Sequence, residues 1–335
     1  MSWKSRSGGS RGPGGCTGAA ENCPTLDDLP TFPSAQNGQE LRTEACWTCE
    51  TGVGPILVAG RYRLLEERGR GGMGVVWRAH DEVLDRVVAV KEILLPLGAD
   101  TERRRELCRS LTREARSMAR LSHPGTAAVH DVLVAGGRPW LVMEFIDAPN
   151  LQQVIDAEGP LTPAKAAEIG RQLCAVLRAA HTAGLLHRDV KPSNVMVCAD
   201  GRVVLTDFGL AIHTEDTDLK VLEGSPAYVS PEQARNDRLT EASDLWSLGV
   251  TLYTAVDGRP PYRRAGALAS MLAVLVDEHT PPRNAGPLRP VIDGLLRKDP
   301  SDRLTAAEAT QMLEKLNNPP PRLRTLLKPP RPARA

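Results

Sequence analysis

Between residues 61 and 95 apolar and polar positions alternate around glycine turns, and Val87, Val88, Ala89, Val90 and Ile93 concentrate strand-forming side chains. A period of two sends successive side chains to opposite faces of a pleated strand, so this stretch predicts several strands of one sheet. The period then changes. From Thr101 to Leu121, the positions Leu107, Leu111, Ala115, Met118 and Leu121 fall on one face of a helix, which His123-Pro124-Gly125 stops. Strand signals return at 127–134 and 140–145. Leu161-Thr162-Pro163 opens a long helix through His181, with Thr162 as N-cap and Pro163 in the first turn, where a missing N–H is tolerated. Beyond Glu232 the pattern is mainly helical. A strand-rich first part with one helix, followed by a helix-rich second part, predicts an α+β chain of two lobes, with the ligand site in the cleft between them.

Both ends break the pattern. Residues 1–58 are rich in Gly, Pro, Ser, Asn and Thr and carry almost no periodic apolar positions, so they read as a flexible extension that cannot bury enough surface to offset its ordering entropy. Residues 317–335 interleave Pro319-Pro320-Pro321, Pro329-Pro330 and Pro332 with Arg and Lys, the composition of an extended tail.

Composition narrows the function classes. With 42 basic and 41 acidic residues, the net charge of +1 gives no broad electrostatic attraction to nucleic acid or to a membrane surface. No segment reaches the eighteen or so uninterrupted apolar residues of a membrane span, and Met1-Ser2-Trp3-Lys4 leads into Gly and Ser, so a soluble cytoplasmic protein is expected. Seven cysteines do not make a secreted disulfide framework; Cys108, Cys174 and Cys198 sit in apolar or helical patterns, where a reduced thiol packs as a small hydrophobe. Cys46-Trp47-Thr48-Cys49, with Cys16 and Cys23 upstream, leaves three readings open: unstructured thiols, a zinc site or a redox-responsive pair.

Chemistry concentrates in a few strings. In His187-Arg188-Asp189-Val190-Lys191-Pro192-Ser193-Asn194, a carboxylate and an amide stand five residues apart, and Asp207-Phe208-Gly209 follows thirteen residues after Asn194. Such a set can orient a hydroxyl nucleophile and offer two oxygen ligands to magnesium. Upstream, Gly69-Arg70-Gly71-Gly72-Met73-Gly74 runs into the strand-like Val75-Val76-Trp77-Arg78-Ala79. A dinucleotide-binding turn needs a helix there, so a flap whose backbone amides cover phosphates fits better. Lys91 ends the apolar run Val88-Ala89-Val90, and a buried ammonium needs an anionic partner. Glu114 is the expected partner, since it lies next to Ala115 on the apolar face of the helix rather than on the Arg-rich side of Arg103 to Arg105.

Together these strings resemble a bacterial eukaryotic-type (Hanks-type) serine/threonine protein kinase over residues 59–316. The resemblance implies a bilobal fold with a small lobe at 59–143, a hinge at 144–150 and a large lobe at 151–316. It implies that Gly69, Arg70, Gly71, Gly72, Met73 and Gly74 cover the phosphates of ATP, and that Val76, Ala89, Met143 and Met196 line the adenine pocket. Backbone groups of Glu144 and Ile146 would hydrogen-bond adenine. Lys91 would hold the α and β phosphates and pair with Glu114, placed by its nine-residue offset from His123-Pro124 with Glu106 as the alternative. Asp189 would be the catalytic base, and Lys191 would reach the γ-phosphate. Asn194 and Asp207 would hold Mg2+, with Mn2+ as a substitute.

Further matches extend the resemblance. Gly224-Ser225-Pro226-Ala227-Tyr228-Val229-Ser230-Pro231-Glu232 resembles the end of an activation segment, with Ser230 in the place of an Ala. Ser225 stands where such kinases carry Thr, which with Lys191 implies Ser/Thr rather than Tyr acceptors on protein substrates. Asp244 would anchor the catalytic-loop backbone, and Arg303 would pair with Glu232. Arg188 suits a phosphate acquired in the activation segment, since a guanidinium pairs bidentately with phosphate, and Thr214 and Thr217 are the expected acceptors. The competing expectation is a pseudokinase that binds nucleotide or partners without transfer.

Overall fold

The computed structural model describes residues 56–71, 74–95, 98, 100–208 and 226–317. Its small lobe is one antiparallel sheet of β1 (Leu57–Val58), β2 (Tyr62–Gly71), β3 (Gly74–Asp81), β4 (Arg86–Ile93), β5 (Val129–Ala135) and β6 (Arg138–Glu144), in the order β1-β2-β3-β4-β6-β5. Strand β4 is central and buried on both faces, which is why its sequence reads as a continuous apolar run. One face presents Ala89, Ile93, Leu141 and Met143 to α1 (Thr101–Met118), which answers with Leu107, Leu111 and Ala115. The other gathers Val88, Val90, Trp140 and Val142 around Tyr62 and Val58. By the period of two, Lys91 shares the α1-facing side with Ala89 and Ile93.

Two boundaries move relative to the sequence reading. Leu57 and Val58, assigned above to the flexible extension, pair with Arg63 and Tyr62, and Val58 is fully buried; two residues are too few to show a period. Helix α1 ends at Met118 rather than Leu121 because its closing turn tightens, with Arg120 N–H donating to Ser117 O and Leu121 N–H to Met118 O.

In the large lobe, α2 (Leu151–Glu158) leads to α3 (Pro163–Thr182), capped as expected by Thr162, whose hydroxyl accepts from Lys165 N–H at 3.3 Å. Around α3 pack the hairpin of β7 (Val195–Val197) and β8 (Val203–Leu205), the short α4 (Pro231–Ala234), α5 (Glu241–Asp257), α6 (Ala267–Val276), α7 (Arg289–Leu295) and α8 (Ala306–Asn317). Helix α5 is buried from Ser243 to Val256, so its apolar residues run all round and no amphipathic stripe marks it. The β7–β8 hairpin is tied to the segment after α1 by Leu205 N–H donating to Gly125 O at 2.8 Å, which brings the residues following β8 beneath the small lobe. Among the described residues, no helix is long and apolar enough to cross a membrane.

Candidate active site

The glycine hairpin between β2 and β3 shows which of its glycines the backbone itself requires. Gly74 has φ +148°, and a Cβ there would lie 1.9 Å from the Glu92 carbonyl oxygen on β4, so only glycine allows the strands to approach. Gly69 and Gly71 are different: a Cβ on either would meet nothing within 4 Å. Among the described residues nothing demands glycine there, and the open space beside them suits a bound phosphate chain. The Arg70 guanidinium turns to Glu67 at 2.7 Å, leaving its backbone for any role at the cleft. Gly72 and Met73 lie outside the described residues. Behind the hairpin, strand register sets Val76 beside Lys91 and Ala89 beside Met143, with Ala89 and Met143 both buried. At the hinge, Ala148 N–H donates to the Ile146 carbonyl, and Glu144 N–H donates to Ala128 O. Met196, from the opposite lobe, is half-buried on β7.

The catalytic-loop string is held from below by α5. Asp244, almost wholly buried, accepts from His187 N–H at 2.9 Å, from Arg188 N–H at 2.7 Å and faces His181 Nε2 at 2.8 Å. These bonds fix Arg188 at φ +67°, a left-handed conformation a non-glycine residue keeps only when its surroundings impose it. His187 then joins the two chemical strings: its Nε2–H donates to the Thr206 carbonyl at 2.8 Å, Nδ1 accepts from Asp189 N–H at 3.2 Å, and its ring packs edge-on against Phe208. Burial lowers the His187 pKa, so the ring is neutral in one tautomer. Thr206 returns the tie by donating to the Asn194 carbonyl from its N–H at 2.9 Å and from its hydroxyl at 3.1 Å. Asn194 Nδ2 donates to the Asp189 carbonyl at 2.8 Å and to Asp189 Oδ2 at 3.1 Å, so its amide oxygen is the atom that could ligate a metal ion.

The ion pairs correct one expectation. Lys91 Nζ lies 2.7 Å from Asp207 Oδ1, and Glu114 does not pair with it. Glu114 stands 3.7 Å from the Arg188 guanidinium, across a cleft of about 320 Å³ that both line. Leu107, Leu111 and Ala115 turn to the sheet, and Glu114, about 20° from Leu107 but roughly 100° from Ala115, stands at the edge of that stripe, where it meets Arg188 of the catalytic loop. Glu106, the alternative partner, is exposed and bonds Arg103 at 2.8 Å. Arg188, expected to await a phosphate, therefore faces Glu114. Burial pushes the Glu114 carboxyl up to about 7, with Arg188 pulling it partly back. Burial also opposes the Asp207 charge, but the Lys91 ammonium outweighs it and holds that carboxyl below its ordinary range. Asp207 itself has φ +64°, so both ends of the site store backbone strain. Lys191 Nζ sits 2.7 Å from Asp189 Oδ2.

Structure thus joins the Lys91–Asp207 pair to the Lys191–Asp189–Asn194 group through His187 and Thr206, and sets Glu114 against Arg188. Thr214, Thr217 and Ser225 lie outside the described residues, as do Cys16, Cys23, Cys46 and Cys49. The Glu232–Arg303 pair forms as anticipated, bidentate at 2.8 and 3.1 Å and almost fully buried. Ser230 replaces Ala without loss, because its hydroxyl caps α4 by accepting from Gln233 N–H. Residue reading missed His181 and Thr206 and gave His187 no task; their partners come from distant parts of the chain, and only the histidine's place beside an Asp-Arg string hinted at one.

The donor set fits a nucleotide–magnesium complex. One carboxylate and one amide oxygen, with phosphate oxygens completing the sphere, is how magnesium is commonly held, and Lys91 and Lys191 supply cations for phosphate. Comparison with known proteins agrees: residues 62–313 match the model of the protein kinase domain. The chain is 36% identical over 282 residues to serine/threonine-protein kinase PknB of Mycobacterium tuberculosis (strain ATCC 25177 / H37Ra), covering 80% of this chain and 44% of that protein. Against PknB of Mycolicibacterium smegmatis it is 36% identical over 269 residues, 76% of this chain and 42% of that protein. Against PknA of the same M. tuberculosis strain it is 37% identical over 258 residues, 74% of this chain and 59% of that protein. It spans less than two thirds of each of these relatives. Fold, site and these likenesses agree that the chain belongs to the protein kinase family, among the bacterial eukaryotic-type serine/threonine kinases.

Proposed function

We propose that this protein transfers the γ-phosphoryl group of ATP to Ser or Thr hydroxyls of protein substrates, including its own. The observation that carries the reading is the pairing of Lys91 with Asp207 and of Lys191 and Asn194 with Asp189, the two groups tied together through Thr206. Bound nucleotide with Mg2+, or Mn2+ in its place, supplies the phosphoryl group and neutralises charge on it. Asp189 takes the proton of the acceptor hydroxyl as its oxygen forms the new bond to phosphorus and the bond to the leaving ADP oxygen breaks. Lys191, ion-paired to Asp189, orients that carboxylate and faces the transferred group. Lys91 holds the α and β phosphates, while Asn194 and Asp207 hold the metal. Ala89, Met143, Val76 and Met196 enclose adenine, with Glu144 and Ile146 offering backbone groups. Most of the rate comes from alignment and fixed charge, with a positioned base adding about 10² to 10⁴-fold.

With a metal ion held by Asn194 and Asp207, Lys91 would be released from Asp207 and Glu114 would leave Arg188 to pair with it, so both ion pairs would exchange in the working state. Phosphate on Thr214 or Thr217 drives that exchange by competing for Arg188; equal kinetics of the wild type and a Thr214→Ala/Thr217→Ala variant would exclude it. The protein acts in the cytoplasm on protein substrates. Labelled ATP tests the core of the reading: Asp189→Asn and Lys91→Met are expected to abolish detectable transfer while leaving the circular dichroism spectrum unchanged. Wild-type rates in Asp189→Asn would refute the assignment and the transfer mechanism together.

A further inference from the structure

Helix α1 carries its charge on one side. Arg105, Arg109, Arg113, Arg116 and, in the closing turn, Arg120 are all exposed. They fall within roughly 80° of the helical circumference and run along about 22 Å of it. The neighbours in this stripe are like charges at spacings of three and four, each of which destabilises a helix. The helix dipole favours cations in the last turn, which accounts for Arg116 but not for Arg105, Arg109 and Arg113 before it. Local carboxylates do little to balance the stripe. Glu102 stands 3.5 Å from Arg105 and 3.8 Å from Arg109, Glu106 turns away to Arg103, and Glu114 turns inward to Arg188. Among the described residues, no carboxylate forms an ion pair with Arg113, Arg116 or Arg120.

A chain of net charge +1 with such a stripe must hold a matching excess of acid elsewhere. Residues 21–50 hold part of it: Glu21, Asp27, Asp28, Glu40, Glu44 and Glu50 against the single base Arg42, in the same extension whose first twenty residues carry only the bases Lys4, Arg6 and Arg11. We propose that this acidic segment of the amino-terminal extension docks on the arginine stripe along the outer face of α1. The carboxy-terminal residues 318–335 are excluded as occupant, since they carry Arg322, Arg324, Lys328, Arg331 and Arg334 and no acid. Reach presents no obstacle. The extension enters the fold at β1, in the same lobe as α1, and the sheet between them is six strands wide, about 24 Å. Even the chain from Glu40 to Leu57, at about 3.3 Å per residue, spans more than that. Because α1 also carries Glu114, a segment seated there links the extension to the helix beside the active site.

The test uses the full chain and does not depend on catalysis, so it stands apart from the proposed transfer reaction. Arg113→Lys, Arg116→Lys and Arg120→Lys keep the charge and introduce amines that a carbodiimide couples directly to nearby carboxylates. Mass spectrometry of the monomer band is expected to find those amines joined to acids within residues 21–50, with the yield falling at least fivefold in about 0.5 M NaCl as screening shortens the reach of exposed charges. Coupling confined to Glu102, Glu106 and Glu114, coupling only in a covalent dimer, or none at all would overturn the proposal. Hydrogen exchange gives a second reading: amides of residues 21–50 are expected to exchange at least threefold faster in Arg113→Gln/Arg116→Gln/Arg120→Gln than in the wild type. Equal rates would reject the docking, as would a stripe that binds phosphatidylserine vesicles while the extension's exchange stays the same in both proteins.

Discussion

Glu114→Gln removes one charge from the cleft between α1 and the catalytic loop while keeping the shape of the side chain. Burial raises the Glu114 carboxyl from its ordinary value of 4.5 to about 7, with Arg188 only partly opposing the shift. A carboxyl that holds its proton more tightly in the folded state stabilises the fold through its protonated form. That stabilisation is complete below 4.5 and is lost as the pH rises through about 7. At roughly 1.4 kcal/mol per pH unit, the full shift corresponds to about 3 kcal/mol. The Glu114 side chain is 24% exposed, and water at that edge reduces the difference to about 1–3 kcal/mol. The neutral amide escapes this penalty. Urea unfolding at pH 5, 6, 7 and 8, followed by the fluorescence of Trp140 in the small lobe and Trp246 in the large one, is the assay. The variant is expected to match the wild type near pH 5 and to exceed its stability by about 1–3 kcal/mol at pH 8. A constant offset across the series, or a less stable variant at pH 8, would refute the reasoning. With a non-hydrolysable ATP analogue and Mg2+ present, the advantage is expected to vanish, since Glu114 then gains Lys91 as a partner.

The glycine hairpin and the buried ion pair of the large lobe give further expectations. Gly74→Ala forces a Cβ against the Glu92 carbonyl and is expected to lower stability by at least about 2 kcal/mol in thermal unfolding, whereas Gly69→Ala leaves the midpoint unchanged and weakens nucleotide binding measured by calorimetry. Arg303→Met leaves the Glu232 carboxylate buried with Ser243 as its remaining side-chain donor, and chemical denaturation is expected to show a loss of about 3–5 kcal/mol. Burial opposes the Glu232 charge and Arg303 outweighs it, so in the wild type this carboxyl titrates below its ordinary range and the pair's contribution is lost only as the pH falls through that lowered value. Adding Glu232→Gln to Arg303→Met is expected to recover most of the loss; no recovery would show that the cost lies in packing.

Much of the fold and half of the site geometry were legible one residue at a time. The apolar run of β4 and the stripe Leu107, Leu111, Ala115 of α1 report burial directly, because side-chain direction repeats every two residues in a strand and every 3.6 in a helix. Thr162-Pro163 marked the start of α3 because a cap and a first-turn proline act over three residues. The string from His187 to Asn194 was equally readable, since a short loop holds its members close whatever surrounds it.

Partners across the chain were another matter. The sequence showed that Lys91 needs an anion, but Asp207 and Glu114 are both carboxylates and nothing local ranks them. Tertiary structure chose Asp207, 116 residues away, whose left-handed turn stands where its carboxylate meets the Lys91 ammonium, while Glu114 meets Arg188. It also recruited His187 and Thr206 as struts, which no periodicity singles out, whereas Asp244 anchors the catalytic-loop backbone as the resemblance implied. Local rules act on backbone torsions and side-chain direction within a few residues, so the chain determines by itself its elements and its reactive groups. Which charge faces which depends on how rigid elements dock, and that is decided only when the whole core packs.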